Sequence, residues 1–282
     1  MSTEPNTLRS RYNLYPRPYS RITVLVVIGL AAVIMGLWLL GTPGGVLGKA
    51  DAVGYAICHR IPARSLHVHG RALPLCARCT GIYLGVMTAL AVYAGSGRLR
   101  SERLPRPRLL VVLALAGVPI AVDGINSYLT FFPFYHPIYP PHNTIRLITG
   151  VYAGITMFTI ILPVYNSTMW SAPRPDAPVN NLKELLLVYV VAALMIAAAL
   201  VEWTPLLYLL ALISTAGVVL MFSIIGSVLF ITGVGRDGQA RTWRDLALPS
   251  VGGLVFAISV IGLIDLVRFA FTGTWDGFTM MG

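Results

Sequence analysis

Charge is scarce in this chain: Asp, Glu, Lys and Arg make up 11% of its 282 residues, and only 11 residues are acidic. So small a polar inventory excludes a soluble domain of ordinary make-up, which carries about 25% charged residues. Cysteine is nearly absent as well. The three present are one short of a four-thiolate iron–sulfur cluster. Covalent haem attachment is excluded too, because Thr80, not His, follows the second member of the Cys-x-x-Cys pair. The sequence contains no internal repeat. The stretch Gly233-Val234-Gly235-Arg236-Asp237-Gly238 lacks both the preceding strand and the Lys-Ser/Thr ending of a phosphate loop, so it reads as a turn.

Apolar residues, in contrast, are abundant, at 56% of the chain, and the mean hydropathy is +0.74. A helix that crosses a bilayer needs about 20 mostly apolar residues, with every backbone polar group bonded internally. Several runs qualify, and seven candidate spans are read, at 22–40, 80–93, 109–129, 145–164, 184–203, 206–231 and 246–271. The fold class expected is an all-α, polytopic transmembrane bundle. The second run is short and suggests a re-entrant or interfacial turn at one of its ends, whereas the sixth is long enough to tilt. Ala50-Asp51-Ala52 has the form of a signal-cleavage site, but the apolar run before it exceeds a signal core and ends well upstream. The first span is therefore expected to remain as an anchor.

A net charge of +10 in a soluble protein would suggest nucleic acid. Here the basic residues fall in short loops between spans and act as a topology signal, so no nucleic acid partner is expected. A cytoplasmic amino terminus puts Arg9, Arg11, Arg17 and Arg21 inside, with Arg98, Arg100, Arg103, Arg106 and Arg108, then Arg174 and Lys183, then Arg236, Arg241 and Arg244. Lys49, Arg60, Arg64, Arg71 and Arg78 fall outside, with Arg146 and Arg268 near helix ends on that face. The outer basic residues are concentrated where the cysteines are, which suggests partners or ligands there.

All three cysteines lie in one outer segment, at Cys58, Cys76 and Cys79. Two cysteines separated by two residues can point both sulfurs at one ion, and an upstream cysteine supplies a third soft ligand. Three thiolates and one His would complete a tetrahedral zinc site, and three thiolates and water would leave the open position that catalysis requires. His59 is the first candidate for the fourth ligand, although its adjacency to Cys58 demands a strained turn. His67 and His69, then His136 and His142 in the next outer loop, are the fallbacks.

Redox chemistry competes. Cys76 and Cys79 at a helix amino terminus suit thiol–disulfide exchange, with Cys58 as resolving thiol and a quinone in the bilayer as electron partner. Thr80 would cap that helix. The odd cysteine count ranks this membrane oxidoreductase below metal ligation, and a closed structural zinc clip stands beside a catalytic centre. The third reading is non-enzymatic, a subunit or assembly factor of a membrane complex or transporter docked through the apolar last three spans.

Topology brings Asp123-Gly124, Asn126 and Asn143-Thr144-Ile145-Arg146 to the same face as the cysteines. Asp123 lies inside an apolar span, where a carboxylate costs a few kcal/mol unless it is paired or protonated. Arg146 is the expected partner, and the two are the candidate catalytic residues. Asp265 and Arg268, one turn apart, make a second candidate pair. Gly217 and Gly226, flanked by small residues such as Ser214 and Ser227, allow close packing of the sixth span.

The segments Cys58-His59-Arg60-Ile61-Pro62-Ala63-Arg64-Ser65, Leu75-Cys76-Ala77-Arg78-Cys79-Thr80-Gly81-Ile82-Tyr83-Leu84-Gly85, Asp123-Gly124 and Asn143 to Gly150 resemble an uncharacterised membrane protein family, domain of unknown function 2085, found in bacteria and archaea. The resemblance implies no activity. It picks out Cys58, His59, Pro62, Arg64, Ser65, Cys76, Arg78, Cys79, Thr80, Gly81, Tyr83, Gly85, Asp123, Gly124, Asn143, Arg146 and Gly150, and it raises His59 above the other histidines as a metal ligand.

The expected organisation is a basic cytoplasmic arm at 1–21, a four-span core at 22–166 with its Cys/His loop at 58–79, a Pro- and Asn-rich cytoplasmic linker at 167–183, and a three-span segment at 184–282. The expected location is a prokaryotic cell membrane, crossed several times.

Overall fold

The structure is a computed structural model that describes residues 18–277 apart from Pro133 and Tyr135. The arm with Arg9, Arg11 and Arg17 lies outside the described residues. In chain order the elements are α1 (Arg21–Gly41), α2 (Gly45–Ile57), a 3-10 turn at Pro62–Arg64, β1 (Ser65–Val68), β2 (Arg71–Cys76), α3 (Ala77–Gly95), α4 (Pro107–Leu129), α5 (Asn143–Met169), α6 (Leu182–Leu200), α7 (Thr204–Val234), a 3-10 turn at Trp243–Leu246 and α8 (Ala247–Thr272). Seven of the helices, all but α2, are long and apolar enough to cross a membrane. The chain is a multi-pass helical membrane protein, as its hydropathy implies.

The second span differs from expectation. It is a continuous helix of 19 residues that starts directly after Cys76, with no re-entrant turn. It reads as short because its polar and small positions Thr80, Gly81, Gly85 and Thr88 are buried against neighbouring helices and do not face lipid. Thr80 does not cap it: Cys76 holds the N-cap position, and the Thr80 hydroxyl donates to the Leu75 carbonyl at 3.2 Å.

Helices α3 and α5 form the centre of the bundle, and glycines bring their backbones together. A Cβ on Gly81 would lie 2.3 Å from the Leu147 carbonyl oxygen, and one on Gly85 would lie 2.1 Å from that of Val151. Reciprocally, a Cβ on Gly150 would lie 2.4 Å from the Arg78 oxygen and one on Gly154 1.8 Å from that of Ile82. Small residues spaced four apart on both helices thus allow a contact that side chains would prevent. One turn before these glycines stand Arg78 and Arg146, which the same contact sets side by side. Gly217 and Gly226 also mark close approaches, to Tyr83 of α3 and Phe256 of α8.

Residues 42–76, expected as loop, are ordered into α2 and a two-stranded hairpin over one end of the bundle. The hairpin turns at His69 and Gly70, both at positive φ (48° and 79°), the pair of left-handed residues that suits the twist of a tight hairpin. A Cβ on Gly54 of α2 would lie 1.9 Å from the Pro74 oxygen, so α2 is pressed flat against β2. Ala50-Asp51-Ala52 lies inside α2.

At the opposite end, the segment expected as a linker is folded against the other loops. Ser101 bridges to Arg174 and Trp170 to Ala240, and the Asn166 amide donates to the Leu99 and Ser101 carbonyls at 2.9 and 2.8 Å. Gly235, at φ 67°, ends α7 in a left-handed cap, so the glycine-rich stretch is a turn.

Candidate metal centre

Three elements deliver the cysteines. Cys58 caps the end of α2, its N–H donating to the Gly54 carbonyl at 2.8 Å. Cys76 ends β2 and caps α3, and Cys79 lies one turn into α3. Strand pairing sets Cys76 opposite Ser65. The three sulfurs lie within 4.8 Å of one another, and Cys58 and Cys76 are only 4% and 3% exposed. Val53, Leu75, Val218 and Ile261 pack around them and exclude water.

The Cys58 sulfur also accepts two backbone N–H groups, from Cys76 at 3.3 Å and Arg60 at 3.5 Å. The second contact requires the chain to reverse after Cys58, and Arg60 accordingly has a φ of 51°. Such donors stabilise sulfur in its anionic form. Hydrogen bonds from the Cys76 and Cys79 thiols, reinforced by these N–H groups against the opposing effect of burial, hold the Cys58 thiol well below its usual range. Cys76, which donates to Cys58 and is itself buried, is pushed up. The arrangement therefore has one sulfur poised as a thiolate and two protons to release, which a thiophilic cation would displace.

No histidine nitrogen of the described residues lies as close to the sulfurs as they lie to one another. Among the described residues, the group whose ligand atoms approach one another this closely is the three cysteines alone. The His59 Nδ1 accepts the Ile61 N–H at 3.1 Å, so Nε2 is the nitrogen left to it. Burial, with Arg64, Arg78 and Arg146 nearby, lowers the His59 pKa and keeps the ring neutral, against the pull of Cys58. His67, His69 and His136 are exposed, and the exposed His142 caps α5 by accepting the Thr144 N–H at 3.3 Å.

Beside the sulfurs lies a polar cluster. Asp123 is fully buried on α4, but its partner differs from the one expected from the sequence: Arg78 of α3, not Arg146, donates to Asp123 Oδ2. The Tyr139 hydroxyl donates to Oδ1 at 3.1 Å. The Arg78 side chain reaches from α3 to Asp123 on α4, whereas Arg146 makes its shortest hydrogen bond within its own turn. Arg146 Nη1 donates to Asn143 Oδ1 at 2.8 Å, and the Asn143 amide then ties α5 to the Ala63 and Ser65 carbonyls at 3.3 and 3.2 Å. The Ser65 hydroxyl donates to the Ile61 carbonyl at 3.0 Å. Tyr83 packs among the apolar residues that surround the cysteines.

Ser127 was not singled out from the sequence, yet it touches three arginines. Its hydroxyl accepts from Arg78 at 3.2 Å and from Arg146 at 3.5 Å, and its carbonyl accepts from Arg64 at 3.0 Å. Its position, one helical turn after Asp123 on the same face, was the available signal. Tyr139 had no such signal. In the second candidate pair, Asp265 accepts the Trp38 indole N–H at 3.1 Å, and Arg268 donates to the Cys58 carbonyl at 2.8 Å. Helix α8 thus reaches the cysteine end.

Residues 58–160 match the model of a family described as a predicted membrane protein, DUF2085. An uncharacterized protein of the archaeon Methanocaldococcus jannaschii is 34% identical over 114 residues, which cover 40% of this chain and 67% of that protein. Another, from Methanothermobacter thermautotrophicus, is 34% identical over 99 residues, covering 35% of this chain and 78% of its own length. No solved structure matches. The matched region holds all three cysteines together with Arg64, Arg78, Asp123 and Arg146.

Proposed function

Since this chain belongs to the predicted membrane protein family DUF2085, we propose that its matched region is built around a thiolate-bound divalent metal ion, zinc, held by Cys58, Cys76 and Cys79 on the non-cytoplasmic face. The observation that carries this is the convergence of the chain's only three cysteines, from α2, β2 and α3, to within 4.8 Å. Their chemistry fits the ion: soft sulfur donors, one already favoured as thiolate, in a dry pocket with N–H groups aimed at sulfur. His59 is the candidate fourth ligand through Nε2.

The ion would act first as a clip. Cys58 ends the short helix α2, whereas Cys76 and Cys79 begin a helix long enough to span a membrane. Joining them locks the α2 and hairpin layer onto α3 and fixes Arg64 and Ser65 beside Arg78. When bound, zinc supplies a fixed positive charge and a Lewis acid. The chain's own residues supply the polar wall, with Asp123 and Tyr139 on one side and the arginines on the other. The last three helices, read from sequence as a dock for a larger complex, present Leu186, Leu194, Leu229 and Leu263 outward, a surface that lipid covers by itself.

Elemental analysis of the purified protein with a thiol count tests the proposal. About one equivalent of zinc is expected, bound by deprotonated sulfur and lost on Cys76→Ser. Metal-free protein with two thiols blocked until reductant is added would overturn it in favour of thiol exchange by Cys76 and Cys79. A reporter fused at Arg103 tests the orientation, since an external signal would put the cysteines in the cytoplasm.

A further inference from the structure

We propose that Arg64, Arg78 and Arg146 form a binding site for a phosphate oxyanion carried by a membrane lipid headgroup. The three guanidinium groups meet around one serine, Ser127, and two of them are deeply buried, Arg64 at 7% and Arg146 at 5% exposure. Only one carboxylate serves them. Asp123 gives one oxygen to Arg78 and the other to Tyr139. Among the described residues, neither Arg64 nor Arg146 has a carboxylate within ion-pair distance.

Buried charge of one sign is costly unless a partner neutralises it. Protein groups meet part of that need with neutral acceptors: Thr130 and the Ser127 carbonyl for Arg64, whose guanidinium also lies 4.2 Å from the Phe131 ring centroid, and Asn143 for Arg146. They leave donors over. The Nε atoms of Arg78 and Arg146 are both buried without a hydrogen-bond partner. In Arg146, whose Nη2 makes only a 3.5 Å contact to Ser127, the Nε–H and the adjacent Nη–H form the fork that grips two oxygens of a phosphate, and the free Arg78 Nε–H and the Arg64 cation stand beside it. A divalent ion on three thiolates would add one negative charge to that of Asp123, and the arginines would still be in excess.

The location selects the source. Arg78 and Arg146 stand in the first turns of α3 and α5, so the positive ends of two helices face the same point. First turns of spanning helices lie at headgroup depth, where lipid phosphate is the anion at hand.

The full-length protein in phosphate-free detergent tests this, with thermal unfolding followed against added inorganic phosphate and against micelles doped with phosphatidic acid. The doped micelles are expected to protect the native chain, and inorganic phosphate to protect it less. Arg78→Lys and Arg146→Lys, which keep the charge but lose the Nε–H donors, should weaken protection about tenfold, while Arg98→Lys at the opposite end should not. Protection by doped micelles alone assigns a lipid headgroup, and equal protection by inorganic phosphate supports the oxyanion site with a soluble source. No protection of folded native protein by either probe overturns the proposal, as does equal protection of the native chain and both Lys variants at the cysteine end. Zinc is measured on the same samples, so phosphate binding by a zinc-free chain would support this site while the metal centre falls.

Discussion

At one end of the bundle Arg98 reaches Asp176 at 2.9 Å and Glu184 at 3.0 Å, Arg174 reaches Asp176 at 2.9 Å, and the Ser101 hydroxyl donates to Asp176 at 2.7 Å. These groups are partly exposed, and two carboxylates serve two arginines. At the cysteine end, three arginines gather in a more buried setting around one carboxylate. The same residue type therefore does different work at the two ends. Where arginine is matched and wet, it closes loops. Where it is buried in excess, it is held ready for a ligand.

The largest effect should come from the contact that sets the cysteine end in place. Gly154→Val puts side-chain atoms where the Ile82 carbonyl stands, 1.8 Å from a Cβ, and should abolish folded protein in detergent, a loss above about 4 kcal/mol. Gly233→Ala, near the opposite end and with nothing within 4 Å, should stay within about 1 kcal/mol in either direction on thermal unfolding. Similar effects from both would show that the α3 and α5 approach is not what organises the molecule.

Next in size is Asp123→Asn, which strips a buried guanidinium cluster of its one carboxylate and should cost about 3 to 5 kcal/mol in thermal or denaturant unfolding. Asp176→Asn breaks a wetter network and should cost about 1 kcal/mol or less. Added salt should shrink the Asp176 effect and leave that of Asp123 largely intact, because screening acts on exposed pairs. An Asp123 loss as small and as salt-sensitive as that of Asp176 would erase the contrast between the ends.

The smallest predicted effect is a pH dependence. Burial pushes the Asp176 carboxyl up, but the Ser101 hydroxyl and the Arg174 and Arg98 guanidiniums prevail and hold it below its ordinary value of 3.8. A carboxyl with a lowered folded-state pKa contributes stability that is complete above the unfolded value and is lost as pH falls through the folded one. Acid unfolding of the native chain should therefore show a component below about pH 4 that Asp176→Asn lacks. Identical acid profiles would show that this loop network contributes nothing.

Much of the candidate site was legible because its residues are rare for their setting. Three cysteines in one segment, and an aspartate inside an apolar run, stand out before any fold is known. Partner choice was not legible. Asp123 and Arg146 were expected to pair because both lie at the outer ends of consecutive spans, but end-to-end proximity does not say which face each residue presents. Ser127, a common residue in a membrane helix, carried no signal beyond its spacing from Asp123.

The amino-acid sequence alone determined the class of this protein, the seven helices long and apolar enough to cross a membrane among the described residues, and the neighbourhood of its three sulfurs. Whether a segment enters a bilayer depends on its own transfer free energy and internally satisfied backbone, which are local sums over about 20 residues. Tertiary structure decided that Arg78 takes Asp123, that no histidine shares the approach of the sulfurs, and that three arginines close on one serine. Those outcomes depend on how closely α3 and α5 approach and how they are rotated, which glycine contacts between distant parts of the chain set and which no local window of sequence contains.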